Sequence, residues 1–234
     1  MTKKRVVLLP AFLCDAGLFV YQIKALQDKC DFYVPDLSID TDIQTTARRI
    51  LDALPDGPFA LAGVSMGGYV AFELLRQAPD RISELCLIDT NPLPETPMSR
   101  EKRRAVMERA KKDGLKSVVR SCAVDAMTPE HAQDPSLRDL VEQMAEGTGL
   151  QGFLNEQSVI MSRPDSRPLL PDIRCPTTVL TGTRDKLSTP ETMAEMAGRI
   201  PNAVHILIDD SAHFPPIENP AATLAAFEKW LKTG

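Results

Sequence analysis

The chain has 234 residues, 43% hydrophobic and 25% charged, with 27 Lys and Arg against 32 Asp and Glu for a formal charge of −5. This composition fits an ordinary soluble globular protein, one large domain or one domain carrying an insertion, and excludes collagen, disorder and coiled coil. Mild acidity without a long basic run lacks the footprint of a nucleic-acid binder, and the longest apolar run, Val6 to Leu13, is broken by Pro10 and falls far short of the roughly 20 residues of a membrane span.

Lys3, Lys4 and Arg5 ahead of Val6-Val7-Leu8-Leu9 imitate the start of a signal peptide, but no small-x-small cleavage site follows Leu13, and Phe12 and Leu13 are too bulky for a lipoprotein signal before Cys14. The same run scans as a buried strand. Further runs at Phe32 to Leu37, Phe59 to Ser65, Leu85 to Asp89, Thr177 to Thr181 and Val204 to Ile208 make six predicted strands with the first, Arg5 to Phe12. Most are apolar throughout, as in a parallel sheet covered on both faces. Helical patterns at Leu18 to Lys29, Ile43 to Ala53, Gly67 to Gln77, Thr189 to Arg199 and Pro220 to Lys232 supply the crossovers, with Pro190 and Pro220 where a first turn accepts proline. The expected fold is α/β, a doubly wound, mostly parallel sheet of about six strands.

Between the fourth and fifth strands, Asn91 to Pro171 reads as a helical insertion. Ser99 is expected to cap a helix ending near Gly114, Asp134-Pro135 to start another ending near Gly147, and Gly149 to Met161 to form a third. The expected division is a core of 1–90 and 171–234 with a helical lid at 91–170. Five methionines of the insertion (Met98, Met107, Met127, Met144, Met161) suggest an adaptable acyl pocket or plain helix packing. Its basic helix, from Arg100 to Lys112, reads first as a solvated face opposite Val106, Met107 and Ala110, and second as an attractor of acidic substrate. Arg163 and Arg167 read as tethers to the core.

Five scattered cysteines (Cys14, Cys30, Cys86, Cys122, Cys175) without a Cys-x-x-Cys pair indicate reduced thiols and a cytoplasmic setting. His131, His205 and His213 show no ligand spacing, so neither metal nor other cofactor is expected. The strongest local signal is Gly63-Val64-Ser65-Met66-Gly67, a Gly-x-Ser-x-Gly pentapeptide where a strand ends and a helix begins. Such a turn holds a serine exposed in strained geometry and aims the helix N-terminus, Met66 N–H first, at an oxyanion.

The chain resembles the α/β-hydrolase fold superfamily over essentially its whole length. Thr181-Gly182-Thr183-Arg184-Asp185 resembles the acid loop, Ser211-Ala212-His213-Phe214 with Glu218-Asn219-Pro220 the histidine loop, and Leu8-Leu9-Pro10-Ala11-Phe12 the oxyanion strand, in the order Ser, Asp, His. The resemblance implies a cofactor-independent serine hydrolase of a small-molecule ester. Ser65 would be nucleophile, His213 base and Asp185 its orienting acid, with Asp89 as rival acid and Asp209, Asp210, His205 and His131 weaker candidates. Pro10-Ala11 stands where many relatives have His-Gly, so the second oxyanion donor is Phe12 N–H or Leu13 N–H. A carbon–carbon bond hydrolase or cofactor-free lyase, and a slow-turnover ligand sensor, are the alternatives on the same residues. The usual N-terminal hairpin is absent, predicting a minimal sheet.

Overall fold

A computed structural model describes residues 3–232. Strands β1 (Lys4–Leu9), β2 (Cys30–Tyr33), β3 (Phe59–Val64), β4 (Ile82–Ile88), β5 (Thr177–Gly182) and β6 (Val204–Ile208) form an all-parallel sheet in the order β2-β1-β3-β4-β5-β6. Alternate residues of β1 enter opposite cores, Val6 and Leu8 on one face and Val7 and Leu9 on the other, which is why the strand is apolar at every buried position. The edge strand β6 leaves Val204 and Leu207 exposed. The second strand lies earlier than expected. Cys30–Tyr33 pair with Lys4–Val7, and beyond them Pro35 and an Asp36 carboxylate accepting the Ser38 N–H (2.8 Å) turn the chain out of the sheet.

The crossover helices are α1 (Val20–Leu26), α2 (Ile43–Ala53) and α3 (Met66–Gln77). Four more lie between β4 and β5: α4 (Pro97–Asp113), α5 (Lys116–Cys122), α6 (Pro129–Gln133) and α7 (Pro135–Ser162). After β5 come α8 (Pro190–Gly198), α9 (Pro215–Glu218) and α10 (Pro220–Trp230). Among the described residues no helix is long and apolar enough to cross a membrane.

The N-cap of α4 is Thr96 rather than Ser99: Thr96 Oγ1 accepts the Ser99 N–H at 3.1 Å, and Pro97 opens the first turn. The two helices expected on either side of Gly147 to Gly149 are one element with a kink, because Gly149 takes φ 67° and ψ 174°. Helices α5 and α6 are additions to the expected set; α5 is only seven residues long and carries Val118-Val119, which weakens any helical pattern. Ala110, Val118, Val141 and Phe153 join the same core as Val6 and Leu8, so this segment is packed onto the sheet.

From β1 the chain steps outward to β2, then crosses back to add β3 to β6 on the other side. The strand order therefore reverses between β1 and β3, and the crevice beyond their carboxyl ends is where open α/β sheets bind ligands. Leu9 pairs with Gly63, which brings the residues after β1 beside Ser65.

Candidate active site

Ser65 sits between β3 and α3 with φ 52° and ψ −112°, a left-handed backbone that a serine adopts only when its surroundings hold it there. They do so through three bonds: Ser65 N–H donates to the Ile88 carbonyl (2.9 Å), and Thr90 Oγ1 and Gly68 N–H both donate to the Ser65 carbonyl (2.8 and 2.9 Å). The flanking glycines make the turn possible. A Cβ at Gly63 would lie 2.6 Å from the Gly67 carbonyl carbon, and one at Gly67 would strike the Leu9 carbonyl. Although Ser65 is the N-cap of α3, its side chain caps no backbone N–H. Its Oγ instead lies 2.8 Å from His213 Nε2.

His213 Nδ1 is in turn 2.7 Å from Asp185 Oδ2. Asp185 stands three residues past β5 in a tight turn, where its N–H donates to the Gly182 carbonyl and its Oδ1 accepts the Leu187 N–H at 2.7 Å. Burial works to raise the Asp185 carboxyl, but the hydrogen bond and charge of His213, with the Leu187 and Ser188 N–H groups, hold it below the usual carboxylate range. Asp89, the rival, is fully buried and accepts the Gly182 N–H (3.1 Å). Burial first, then the neighbouring Asp185 carboxylate, push Asp89 well above the usual range. The two acids are driven in opposite directions, and it is Asp185 that meets His213 Nδ1 while Asp89 meets the Gly182 N–H behind it.

The other candidates lie elsewhere. Asp209 and Asp210 are exposed in the turn after β6, and His205 Nε2 is 2.9 Å from Thr181 Oγ1 on the sheet. Of the two candidate second oxyanion donors, Leu13 N–H is engaged, donating to Glu156 Oε2 at 2.9 Å. Met66 N–H and Phe12 N–H have no acceptor among the described residues.

A cavity of about 370 Å³ opens over Ser65 and His213, walled by Phe12, Phe214, Tyr69 and Ile160. Among the described residues no methionine lines it; of the methionines read as pocket or packing, Met127 lines an adjoining cavity that shares Cys122 and Leu187 with this one, and Met144 packs near Gly17. Arg163, expected only as a tether, both lines the cavity and bonds the Leu93 carbonyl (3.0 Å). Among the described residues no group of three or more His, Cys, Asp or Glu is placed to hold a metal ion.

A sequence model of the α/β-hydrolase fold matches residues 38–220. The chain belongs to the α/β-hydrolase fold family. Its relatives include a pimeloyl-[acyl-carrier protein] methyl ester esterase of Aromatoleum aromaticum, 26% identical over 197 residues that cover 76% of this chain and 75% of that protein. A second is the (E)-2-((N-methylformamido)methylene)succinate hydrolase of Acinetobacter baylyi, 25% identical over 82% of this chain and 72% of that protein. Among solved structures, a thermophilic esterase from Thermogutta terrifontis with malate bound superposes with a TM-score of 0.88 at 29% identity, over 99% of this chain and 90% of that one. This α/β-hydrolase is a hydrolase enzyme like those relatives.

Two buried acids of this α/β-hydrolase have tasks that the motifs did not assign, Glu218 within the histidine loop and Glu156 outside every motif. Glu218 Oε1 accepts the Ala212 and Phe214 N–H groups (3.1 and 2.9 Å), while its Oε2 accepts the Thr128 N–H (2.8 Å) and lies 3.0 Å from His131 Nδ1. It thereby fixes the backbone on both sides of His213 and ties that loop to the helical segment. Glu156 holds the loop after β1 through Leu13, and burial raises its carboxyl to about 8. The signal for Glu156 was available: it lies in phase with Phe153 and Ile160 on the apolar face of α7, where an acid is costly unless it has a task.

Proposed function

We propose that this protein is a cytoplasmic serine hydrolase that cleaves a small carboxylic ester through an acyl-enzyme, without metal, cofactor, nucleic acid or membrane partner. The observation that carries the reading is the unbroken hydrogen-bonded run from Ser65 through His213 to Asp185, opening onto a cavity beside two uncommitted backbone N–H groups. Serine is a weak nucleophile at neutral pH, and a base must take its proton as attack proceeds. His213 Nε2 takes the Ser65 proton while Asp185 holds the imidazole by Nδ1 and stabilises the imidazolium. The ester carbonyl oxygen gathers negative charge between Met66 N–H and Phe12 N–H, where fixed donors and the N-terminus of α3 favour it. Collapse of the tetrahedral species breaks the bond to the alcohol oxygen, which receives the proton from His213. Water, deprotonated by the same histidine, then attacks the acyl carbon and restores Ser65.

In this reading residues 1–90 and 171–234 carry the chemical step and 91–170 act as a lid that selects substrate. The esterase names of the Aromatoleum aromaticum and Thermogutta terrifontis proteins support the same bond type. A panel of esters and carbon–carbon cleavable diketones, run with a fluorophosphonate probe, tests it. Ester turnover with labelling of Ser65 supports it; diketone cleavage without ester turnover, or tight binding without any turnover, contradicts it.

A further inference from the structure

The cavity over Ser65 holds two guanidinium groups that ester cleavage does not require. Arg103 and Arg163 line it together with Ser65 and His213, and none of its lining residues is an Asp or Glu. Two basic residues of α4 are half-buried, Arg100, which donates to the Met161 carbonyl (2.6 Å), and Arg103, and of these Arg103 lines the cavity. Lys102, Arg104, Lys111 and Lys112 are exposed, whereas Arg103 shares the inward face with Ser99, Val106 and the fully buried Ala110. Arg163 follows the last turn of α7 with its side chain only 10% exposed, stacked 4.5 Å from the Tyr69 ring centre. A charge on the buried side of a helix is costly, and these two lie together.

Glu95 compensates one of them. Its carboxylate is 1% exposed, with Oε1 accepting from Arg103 Nε at 3.0 Å and Oε2 against Arg163 Nη1. Arg103 Nη1 donates to Gln157 Oε1 (3.0 Å), and Arg163 spends Nε and Nη1 on the Leu93 and Ile160 carbonyls. The Nη2 group of each arginine is left without an acceptor among the described residues. Glu95 compensates only one of these two guanidiniums, and a low-dielectric cleft focuses the charge left on that arginine pair on whatever enters. One net charge matches a carboxylate better than a doubly charged phosphate, and paired Arg donors suit carboxylate geometry.

We propose that Arg103 and Arg163 form a carboxylate subsite, so that the ester cleaved at Ser65 carries a free carboxylate of its own, as in a half-ester of a small dicarboxylic acid. The inference rests on the serine-hydrolase reading and narrows its substrate class. The test compares the monomethyl esters of succinate, glutarate and adipate with their neutral dimethyl esters on the full chain, with fluorophosphonate labelling of Ser65 in parallel. The parent should favour at least one half-ester over its diester by about tenfold or more in kcat/KM, chiefly through KM, and the matching free diacid should protect Ser65 from the probe. Arg103→Gln should reduce that preference by about tenfold and abolish the protection, with Arg103→Lys recovering part of both; Arg163 still pairs Glu95 in these variants, so the fold is kept. A parent that labels at Ser65 and cleaves diesters as well as half-esters overturns the subsite and leaves the hydrolase reading standing. No labelling and no turnover of any ester overturns that reading, and the subsite with it.

Discussion

Val6 to Leu9, Phe59 to Val64 and Leu85 to Ile88 are buried at every position without a single charged side chain, whereas the segment joining β4 to β5 buries the carboxylates of Glu95 and Glu156 and nearly all of Arg163. These stretches are held by area removed from water, a force with no direction that many apolar sequences satisfy, although Glu84, buried near the start of β4, pairs with Lys4 of β1 at 2.6 Å. The helical segment packs Ala110, Val118, Val141 and Phe153 into the same core but adds, beside the cavity, the pairing of Glu95 with Arg103 and Arg163, and a buried ion is tolerable only with its partners in place. The difference divides the labour. The sheet offers a stiff edge that fixes Ser65, Asp185 and His213, and the segment brings polar groups to the same cavity by pairings that depend on particular residues.

The largest effects should come from the sheet edge. Ser65→Ala and His213→Ala are each expected to lower ester turnover at least about ten-thousand-fold, with the double variant little worse than either, because the groups act as a unit. Asp185→Asn should cost about as much through the wrong imidazole tautomer. Asp89→Asn should cost far less, since Asp89 meets the Gly182 N–H rather than His213 and an amide oxygen still accepts there; steady-state rates with one ester measure all five variants.

Next come the two kinds of burial. Glu95→Ala leaves Arg103 and Arg163 without their shared carboxylate and should lower unfolding free energy by about 3 to 5 kcal/mol. Leu61→Ala, fully buried in β3, should cost about 2 to 5 kcal/mol. Urea denaturation compares them, and an unaffected Glu95→Ala protein would break the distinction between the two regions.

The smallest effect is a pH dependence. Glu156 is raised by burial to about 8, against the Leu13 N–H that lowers it and with the Asp36 charge adding to the rise. The folded protein thus keeps a proton there that the unfolded chain releases above about 4.5. By linkage this contribution to stability is fully present below that lower value and fades as pH rises toward 8. Glu156→Gln, which keeps an acceptor for Leu13 N–H, should melt with a flatter profile between pH 5 and 8 and gain on the parent at the alkaline end. Parallel profiles would contradict the assignment.

How much of this was legible follows the same division. Continuous apolar runs and proline-started helices placed the six strands and the crossovers, and a pentapeptide at a strand end placed Ser65, because such patterns are local. The early start of β2 was hidden because Phe32 to Leu37 is apolar enough to continue, and only pairing with Lys4–Val7 fixes where it stops. Asp185 and Asp89 both follow strands, and neighbours distant in sequence separate their roles. Leu13 could be set aside only when Glu156, far along the chain, was seen to hold its N–H. The methionines stayed open between pocket and packing because composition does not say which side of a helix faces the cavity. The position of Arg103 in phase with Val106 and Ala110 did carry that information.

The central claim is that His213 activates Ser65 at this cavity. Peptide mass spectrometry after fluorophosphonate treatment of the parent, His213→Ala and Asp89→Asn proteins tests it most directly. One adduct, on Ser65, forming at similar rates in the parent and Asp89→Asn and severely slowed in His213→Ala, is the expected result. An adduct on another residue, or labelling of Ser65 at the parent's rate in His213→Ala, would contradict the account.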